Sequence, residues 1–172
     1  VLMNHVFDIM QEEQRPRIAE KNPDRSAEEV DAIARTVGIG AVVFANLASQ
    51  REKDVDFDID KVTSTEGDSG PYLQYAYVRA PAGLKKGEIE GVKASFALAP
   101  EEVSELSHLL THFPSVVTRA ASLSAPNLLG TYLTALASTF NAYYAGQKIV
   151  DPADPTSPYH LALTTAFAHI MH

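Results

Sequence analysis

The sequence predicts a mainly α chain, a helical bundle over residues 67–172 preceded by a small α+β segment with one short strand over residues 1–66. Three observations lead there. Apolar residues recur at three- and four-residue spacing through the second half, most clearly at Leu129, Tyr132, Leu133, Leu136, Phe140 and Tyr143. Capping and proline signals divide the chain into helix-length pieces joined by short connections. One stretch, DVDFDID at 54–60, instead alternates strictly between apolar and acidic residues, the period of a half-buried strand.

Taken in order, residues 2–14 read as a helix that ends before Arg15-Pro16, and the polar RPRIAEKNPDR reads as a loop. Ser26 followed by Glu29 is a capping box opening a helix whose apolar face is Val30, Ile33, Ala34 and Val37. Gly38 and Gly40 predict a bend or interruption before Ala41–Leu47 resumes. In the strand, Val55, Phe57 and Ile59 point one way and the aspartates the other. Asp68 or Ser69 caps the next helix, with Pro71 in its first turn and its end near Arg79. Residues 81–93 read as a Gly/Pro loop. Pro100-Glu101-Glu102 opens a helix to His112, a further helix covers 115–124, and Pro126 opens the longest, 127–145. After the proline-rich DPADPTSP, HLALTTAFAHIMH forms a last helix with no stop signal after it.

Composition narrows the functional classes. The 172 residues are 45% hydrophobic and 21% charged, enough for a sizeable core. No long uncharged apolar run suggests a membrane span, and the N-terminus lacks the pattern of a signal peptide. Zero cysteines exclude disulfides, thiolate metal sites and cysteine nucleophiles within these residues. A cytoplasmic setting is compatible with that. The net charge of −8 argues against binding nucleic acid through a broad basic face. The acidity is uneven, however. Residues 1–79 carry nine Lys/Arg against fifteen Asp/Glu, whereas residues 80–172 carry five against seven. Any such contact must be local and must use bases as well as phosphates.

Few motifs carry chemistry. The aspartates of DVDFDID fail as a calcium loop in both registers, because neither offers Gly at the sixth and Glu at the twelfth position. Gly38-Ile39-Gly40 lacks the third glycine of a dinucleotide loop, with Val43 in its place. Glu105, His108 and His112 share a helix face, but Leu109 stands where a zinc protease has its glutamate. The pattern points to no metal site, and no catalytic residues are visible from spacing. GPYLQYAYVR is different. From a helix start near Pro71, Tyr72, Tyr75 and Arg79 share a face. They serve either as core filling or as a platform on which an unpaired base stacks beside a guanidinium. Tyr143 and Tyr144 pose the same choice.

Here the residues resemble a known family. STEGDSGPYLQYAYVR, residues 64–79, is similar to the sequence that opens the anticodon-binding domain of arginyl-tRNA synthetases. Upstream, VGIGAVVFANLASQREKDVDFDID resembles the segment before that domain. Downstream, LLTHFPSVVTRAASLSAPNLLGTYLTALASTFNAYY resembles the DALR-type bundle that class I synthetases share. The resemblance runs from about residue 27 to the end. It implies the C-terminal part of an arginine–tRNA ligase, an enzyme that activates arginine with ATP and transfers it to tRNA(Arg). Residues 1–66 would end the catalytic half, and residues 67–172 would be the anticodon-binding helical bundle.

The HIGH-like and KMSKS-like signatures of that chemistry do not occur in these residues. The chain alone is expected to be inactive, with ATP and Mg belonging to the parent's catalytic domain and no cofactor or metal here. The resemblance also implies a tRNA(Arg) anticodon loop as partner, no DNA or membrane, and a monomer. Its site carries onto Tyr72, Tyr75 and Arg79, and onto Tyr144 and Lys148 at the end of the long helix, where a relative places an aromatic at the lysine position. Two departures stand out. Tyr159-His160-Leu161 replaces the Arg-Leu of many relatives, and the family's tail beyond His172 is missing. The alternative is a non-enzymatic helical protein-interaction module with its tyrosines in the core.

Overall fold

The computed structural model describes residues 3–54 and 57–172. Seven helices run through them: α1 Met3–Lys21, α2 Ala27–Ala48, α3 Ile59–Thr63, α4 Gly70–Glu90, α5 Glu105–Ser122, α6 Asn127–Gly146 and α7 Ser157–Met171. Helices α4 to α7 share one core. Leu73, Ala76 and Ala80 of α4, Leu106 of α5, Leu136 and Phe140 of α6, and Leu163 and Phe167 of α7 are buried together. Phe140 and Phe167 stack with centroids 3.7 Å apart, locking α6 to α7. The Tyr132 hydroxyl donates to the Leu109 carbonyl at 2.9 Å, tying α6 to α5, and burial raises its pKa to about 12.

Helix α2 joins this bundle to the N-terminal helices. Its start is the expected capping box, with Ser26 Oγ accepting from the Glu29 amide and Glu29 accepting from the Ser26 amide. The glycines expected to interrupt it do not. Gly38 lies inside the helix, where a Cβ would meet the Met10 backbone of α1 at 3.0 Å. α2 is long and apolar enough to cross a membrane by length and composition, although its apolar stretch is not uncharged, with Asp31 and Arg35 in it. In this fold it packs against α1 on one side and α4 and α6 on the others, burying Val30, Ala34, Ala41 and Val42.

Two further backbone approaches fix its neighbours. A Cβ on Gly70, the first residue of α4, would sit 2.8 Å from the Ala41 Cα and the Gly40 carbonyl oxygen. A Cβ on Gly130 of α6 would sit 2.9 Å from Ala48 Cα and Cβ. Both helices therefore ride directly on the α2 backbone.

No strand is present among the described residues. Val55 and Asp56 of the expected strand lie outside them. At its far end the aspartate that was to face solvent acts as a cap. Asp58 Oδ1 accepts from the amides of Asp60 and Lys61 and starts α3. Phe57 and Val62 pack against Met10, Ala41 and Val42, while Ile59, an intended core residue, is exposed. Thr63 at the end of α3 is buried, and its carbonyl accepts from Gln14 and Arg17 of α1.

Three expected helix ends also fail. Pro16, Pro81 and Pro114 each lie inside a continuous helix, α1, α4 and α5. All three prolines are exposed. On that side water can take the carbonyl that a proline leaves without its N–H partner. Burial on the opposite face holds each helix through the break, as Ala80 and Gly83 do in α4. The two expected helices 101–112 and 115–124 are thus one, and it is capped by Ser104 rather than by Pro100.

The α6–α7 pair carries a partly buried polar chain. Tyr143 of α6 donates its hydroxyl proton to His160 Nδ1. His160 Nε2–H then donates to Thr156 Oγ1, whose own proton goes to Asp154. This pattern uses neutral imidazole. Burial lowers the His160 pKa from its ordinary 6.5, only partly opposed by the charge of Asp154. A group whose folded-state pKa is depressed stabilises the fold above its unfolded pKa, and that contribution fades as pH falls below it.

Two predictions follow from this packing. Gly130→Ala is expected to destabilise the protein by about 1–2 kcal/mol in denaturant titration, because overpacking against Ala48 outweighs the helix propensity gained. Gly146→Ala, with nothing within 4 Å of the new methyl, is expected to be neutral or stabilising by about 0.5 kcal/mol; equal losses at both positions would refute the close approach. For His160, the stability gap between wild type and His160→Gln is expected to shrink as pH falls from 7.5 to 5.5. A gap that is constant with pH would show that the histidine is not held neutral.

Candidate nucleic-acid interface

The start of α4 positions the first candidates. Ser69 is buried; its Oγ accepts from the Tyr72 amide at 3.1 Å and donates to the Ser64 carbonyl. Pro71 follows in the first turn, so α4 begins in a defined orientation. Alternating burial along α4 then sorts its large side chains. Leu73 and Ala76 face the core, whereas Tyr75 is 46% exposed.

Tyr75 and Arg79, one turn apart, form a single unit. The guanidinium carbon of Arg79 lies 4.4 Å from the centroid of the Tyr75 ring, and Nη2 donates to the Tyr75 hydroxyl oxygen. Nη1 donates across the helix interface to Asn141 Oδ1 of α6 at 2.9 Å. On the same side, Tyr144 of α6 has its ring centroid 6.0 Å from the guanidinium. Arg79 thus bridges α4 and α6, and its hydrogen-bond partners are neutral.

Gly83 of α4 faces the Tyr144 ring, and a Cβ at that position would make ordinary contact with its Cε2 at 3.7 Å. Tyr144 rests further on Phe140, with centroids 5.7 Å apart.

Of the five residues expected to form the site, the structure brings Tyr75, Arg79 and Tyr144 together. Tyr72 is half-buried and packs against the bundle core, as Tyr144 also does, so of the predicted common face Tyr75 is the exposed ring. Lys148 is exposed but engaged. Its Nζ donates to Asp151 Oδ2 at 2.9 Å, which raises the lysine pKa and lowers that of the aspartate. Lys148 and Asp151 also feel Glu90 and Lys86 respectively, which places them by the last turns of α4, past the Tyr75 cluster. The sequence reading missed Asn141. The one available signal was its position a turn before Tyr144 on α6.

Tyr143 takes no part in this face. Its hydroxyl is bound to His160, and burial, with a smaller contribution from Tyr159, pushes its pKa well above the ordinary tyrosine value. Glu105, His108 and His112 do share α5, and His112 Nδ1 lies 2.6 Å from the His108 carbonyl oxygen. No group of three or more potential metal-ligating side chains converges among the described residues.

Comparison with known proteins gives this geometry a family. Residues 73–172 match the DALR anticodon binding domain. The arginine–tRNA ligase of Limosilactobacillus reuteri (strain DSM 20016) is 39% identical over 158 residues, covering 91% of this chain and 28% of the relative. That of Streptococcus pneumoniae serotype 19F (strain G54) is 36% identical over 156 residues, covering 90% and 27%. The chain therefore spans little more than a quarter of these relatives.

Among solved structures, Thermus thermophilus arginyl-tRNA synthetase superposes with a TM-score of 0.80 at 29% identity, over 99% of this chain and 30% of that one. The Plasmodium falciparum enzyme superposes at 0.72 with 19% identity, over 99% and 31%, and supports the fold alone. The chain belongs to the DALR anticodon binding domain family, in the form carried by the C-terminal portion of arginine–tRNA ligases.

Proposed function

We propose that this chain binds the anticodon loop of tRNA(Arg) through the α4–α6 junction, with Tyr75, Arg79 and Tyr144 at its centre. The observation that carries the reading is the half-exposed Tyr75 ring held rigid by Arg79. One face of that ring is already covered by the guanidinium, so an incoming base has the other face. Unpaired loop bases can be splayed onto such a ring, and the stack is worth about 1–3 kcal/mol per base. Because stacking needs no field across the whole surface, the net charge of −8 is tolerable. In this reading Tyr72 supports the platform from beneath, and Lys148, its charge offset by Asp151, adds at most a weak phosphate contact.

Residues 1–66 would join the bundle to a catalytic half, and residues 67–172 would form the anticodon-binding unit of a monomeric, cytoplasmic ligase. Arginine activation with ATP and Mg, and transfer to tRNA(Arg), would belong to the part of the relatives that this chain does not span. One observation favours a second reading, a protein-interaction module. Ile89, Phe96, Leu98 and Val103, beside and within the connection from α4 to α5, are all strongly exposed.

Titration of the chain with a tRNA(Arg) anticodon stem-loop tests the proposal. Tyr75→Ala is expected to weaken binding about tenfold with the melting temperature unchanged. Tyr72→Ala is expected to lower the melting temperature, and Lys148→Ala to change affinity less than threefold, as suits an exposed, already paired lysine. The salt slope should be shallow for a nucleic-acid binder. A Tyr75→Ala variant that binds as tightly as wild type would remove the platform. A protein partner held by the 89–103 patch, with no hairpin binding, would favour the second reading.

A further inference from the structure

We propose that Asn141 is a base-reading residue, presenting its amide N–H2 beside the Tyr75–Arg79 stack to the acceptor atoms of an unpaired nucleobase. The inference rests on the anticodon-loop reading above and adds to it the chemistry of selection.

The argument begins with what arginine cannot do. A guanidinium has five N–H donors and no acceptor. The Asn141 atom that faces Arg79 at 2.9 Å is therefore the carbonyl oxygen, and the N–H2 group turns to the other side. The same logic fixes Tyr75. Arg79 Nη2 donates to its hydroxyl oxygen, so the phenolic proton is directed elsewhere. Arg79 engages one N–H on each of these two neutral partners and keeps others in reserve. Arg79 and Asn141 are half-buried and Tyr75 is exposed, so all three retain access to solvent.

The outward groups of the cluster are thus donors: the Asn141 amide, the Tyr75 hydroxyl and the remaining Arg79 N–H groups. A rim of donors rewards a base edge with two neighbouring acceptors, N3 and O2 of cytosine or N7 and O6 of guanine. It penalises an edge that offers an amino group to the Asn141 amide, as N6–H2 of adenine does. Arg79 acts on this selection as a positioning residue, because its hydrogen bond decides which end of the amide points outward. Asn141 is tied to the stacking surface through Arg79, which binds its oxygen and covers one face of the Tyr75 ring.

The test is a binding profile against anticodon stem-loops of tRNA(Arg) in which each loop base is replaced in turn. Wild type is expected to lose about tenfold in affinity when the acceptor edge at one position is replaced by an amino-bearing edge. Asn141→Asp retains an oxygen for Arg79 but has no N–H, and Asn141→Leu removes the amide without adding charge. Both are expected to flatten the difference at that one position and to leave the ranking at other positions intact.

If either variant keeps the full preference, or if both weaken every hairpin equally, Asn141 reads no base and the proposal is wrong. Tyr75→Ala separates the two ideas. Weakened binding in Tyr75→Ala alongside an unchanged profile in the Asn141 variants would leave the platform standing and overturn this inference alone. A wild-type chain that binds no hairpin overturns both.

Discussion

Everything at the α4–α6 junction depends on how closely two helices approach the backbone of α2. Gly70 places the start of α4 on Ala41, and Gly130 places the first turns of α6 on Ala48. Neither contact leaves room for a methyl group. Because both helices are referred to the same third helix, their mutual spacing is set before any of the site's side chains meet. Arg79 can then span from Tyr75 to Asn141 without strain in a long flexible stem. Interiors packed at this density do not deform continuously. A displacement of α6 at Gly130 would be carried along a rigid helix to Asn141, about eleven residues or 16 Å further on.

That arrangement bears on how an acidic chain could carry the proposed anticodon site. The cationic side chain at its centre is bound to neutral groups, so its charge is kept available for a ligand. The other expected cation is not. Lys148 faces Asp151 at 2.9 Å, so its charge is already offset by a neighbouring carboxylate. In the proposed reading, affinity would come mainly from flat surfaces and directed hydrogen bonds, which are short-ranged and only weakly screened. Preorganisation matters more under those terms, since a mobile arginine would lose rotamer freedom on every binding event. Stacking on Tyr75 and the fork to Asn141 have already removed that freedom.

The sequence made some of this legible and concealed the rest for identifiable reasons. Local signals read true: the Ser26–Glu29 capping box, the Ser69–Pro71 start of α4 and the apolar period of α6 all depend on neighbours within one turn. Long-range circumstances overrode the others. Pro16, Pro81 and Pro114 spell helix ends, yet each falls on a solvent face while the opposite face is held by burial. The alternation of DVDFDID spells a strand, but Asp58 caps a helix and Phe57 finds Met10 on α1. Gly38 reads as a break and is a contact. Within the candidate site, spacing put Tyr75 and Arg79 one turn apart, as they lie in the structure, but it could not show that Tyr72 packs against the bundle core. Its position a turn before Tyr144 was the one signal for Asn141, and spacing could not show that this residue, sixty-two positions from Arg79, accepts from the guanidinium.

The adjacent pair Tyr143-Tyr144 shows why such a site is hard to read from composition and yet well defined in space. Neighbouring residues on a helix point about 100° apart. Tyr143 consequently turns toward α7, where its hydroxyl joins the partly buried chain through His160 and Thr156 to Asp154. Tyr144 turns toward α4 and rests over Gly83 within reach of Arg79. Two identical residues thus serve different ends, one helping to fix the rotation of α6 about its axis and the other exploiting it. Were α6 free to roll, Asn141 and Tyr144 would move together across the face of α4 and the arginine bridge would be lost. The Tyr143–His160 hydrogen bond adds a directed contact to the buried packing of Leu136, Ala137 and Phe140 that sets the angle of α6.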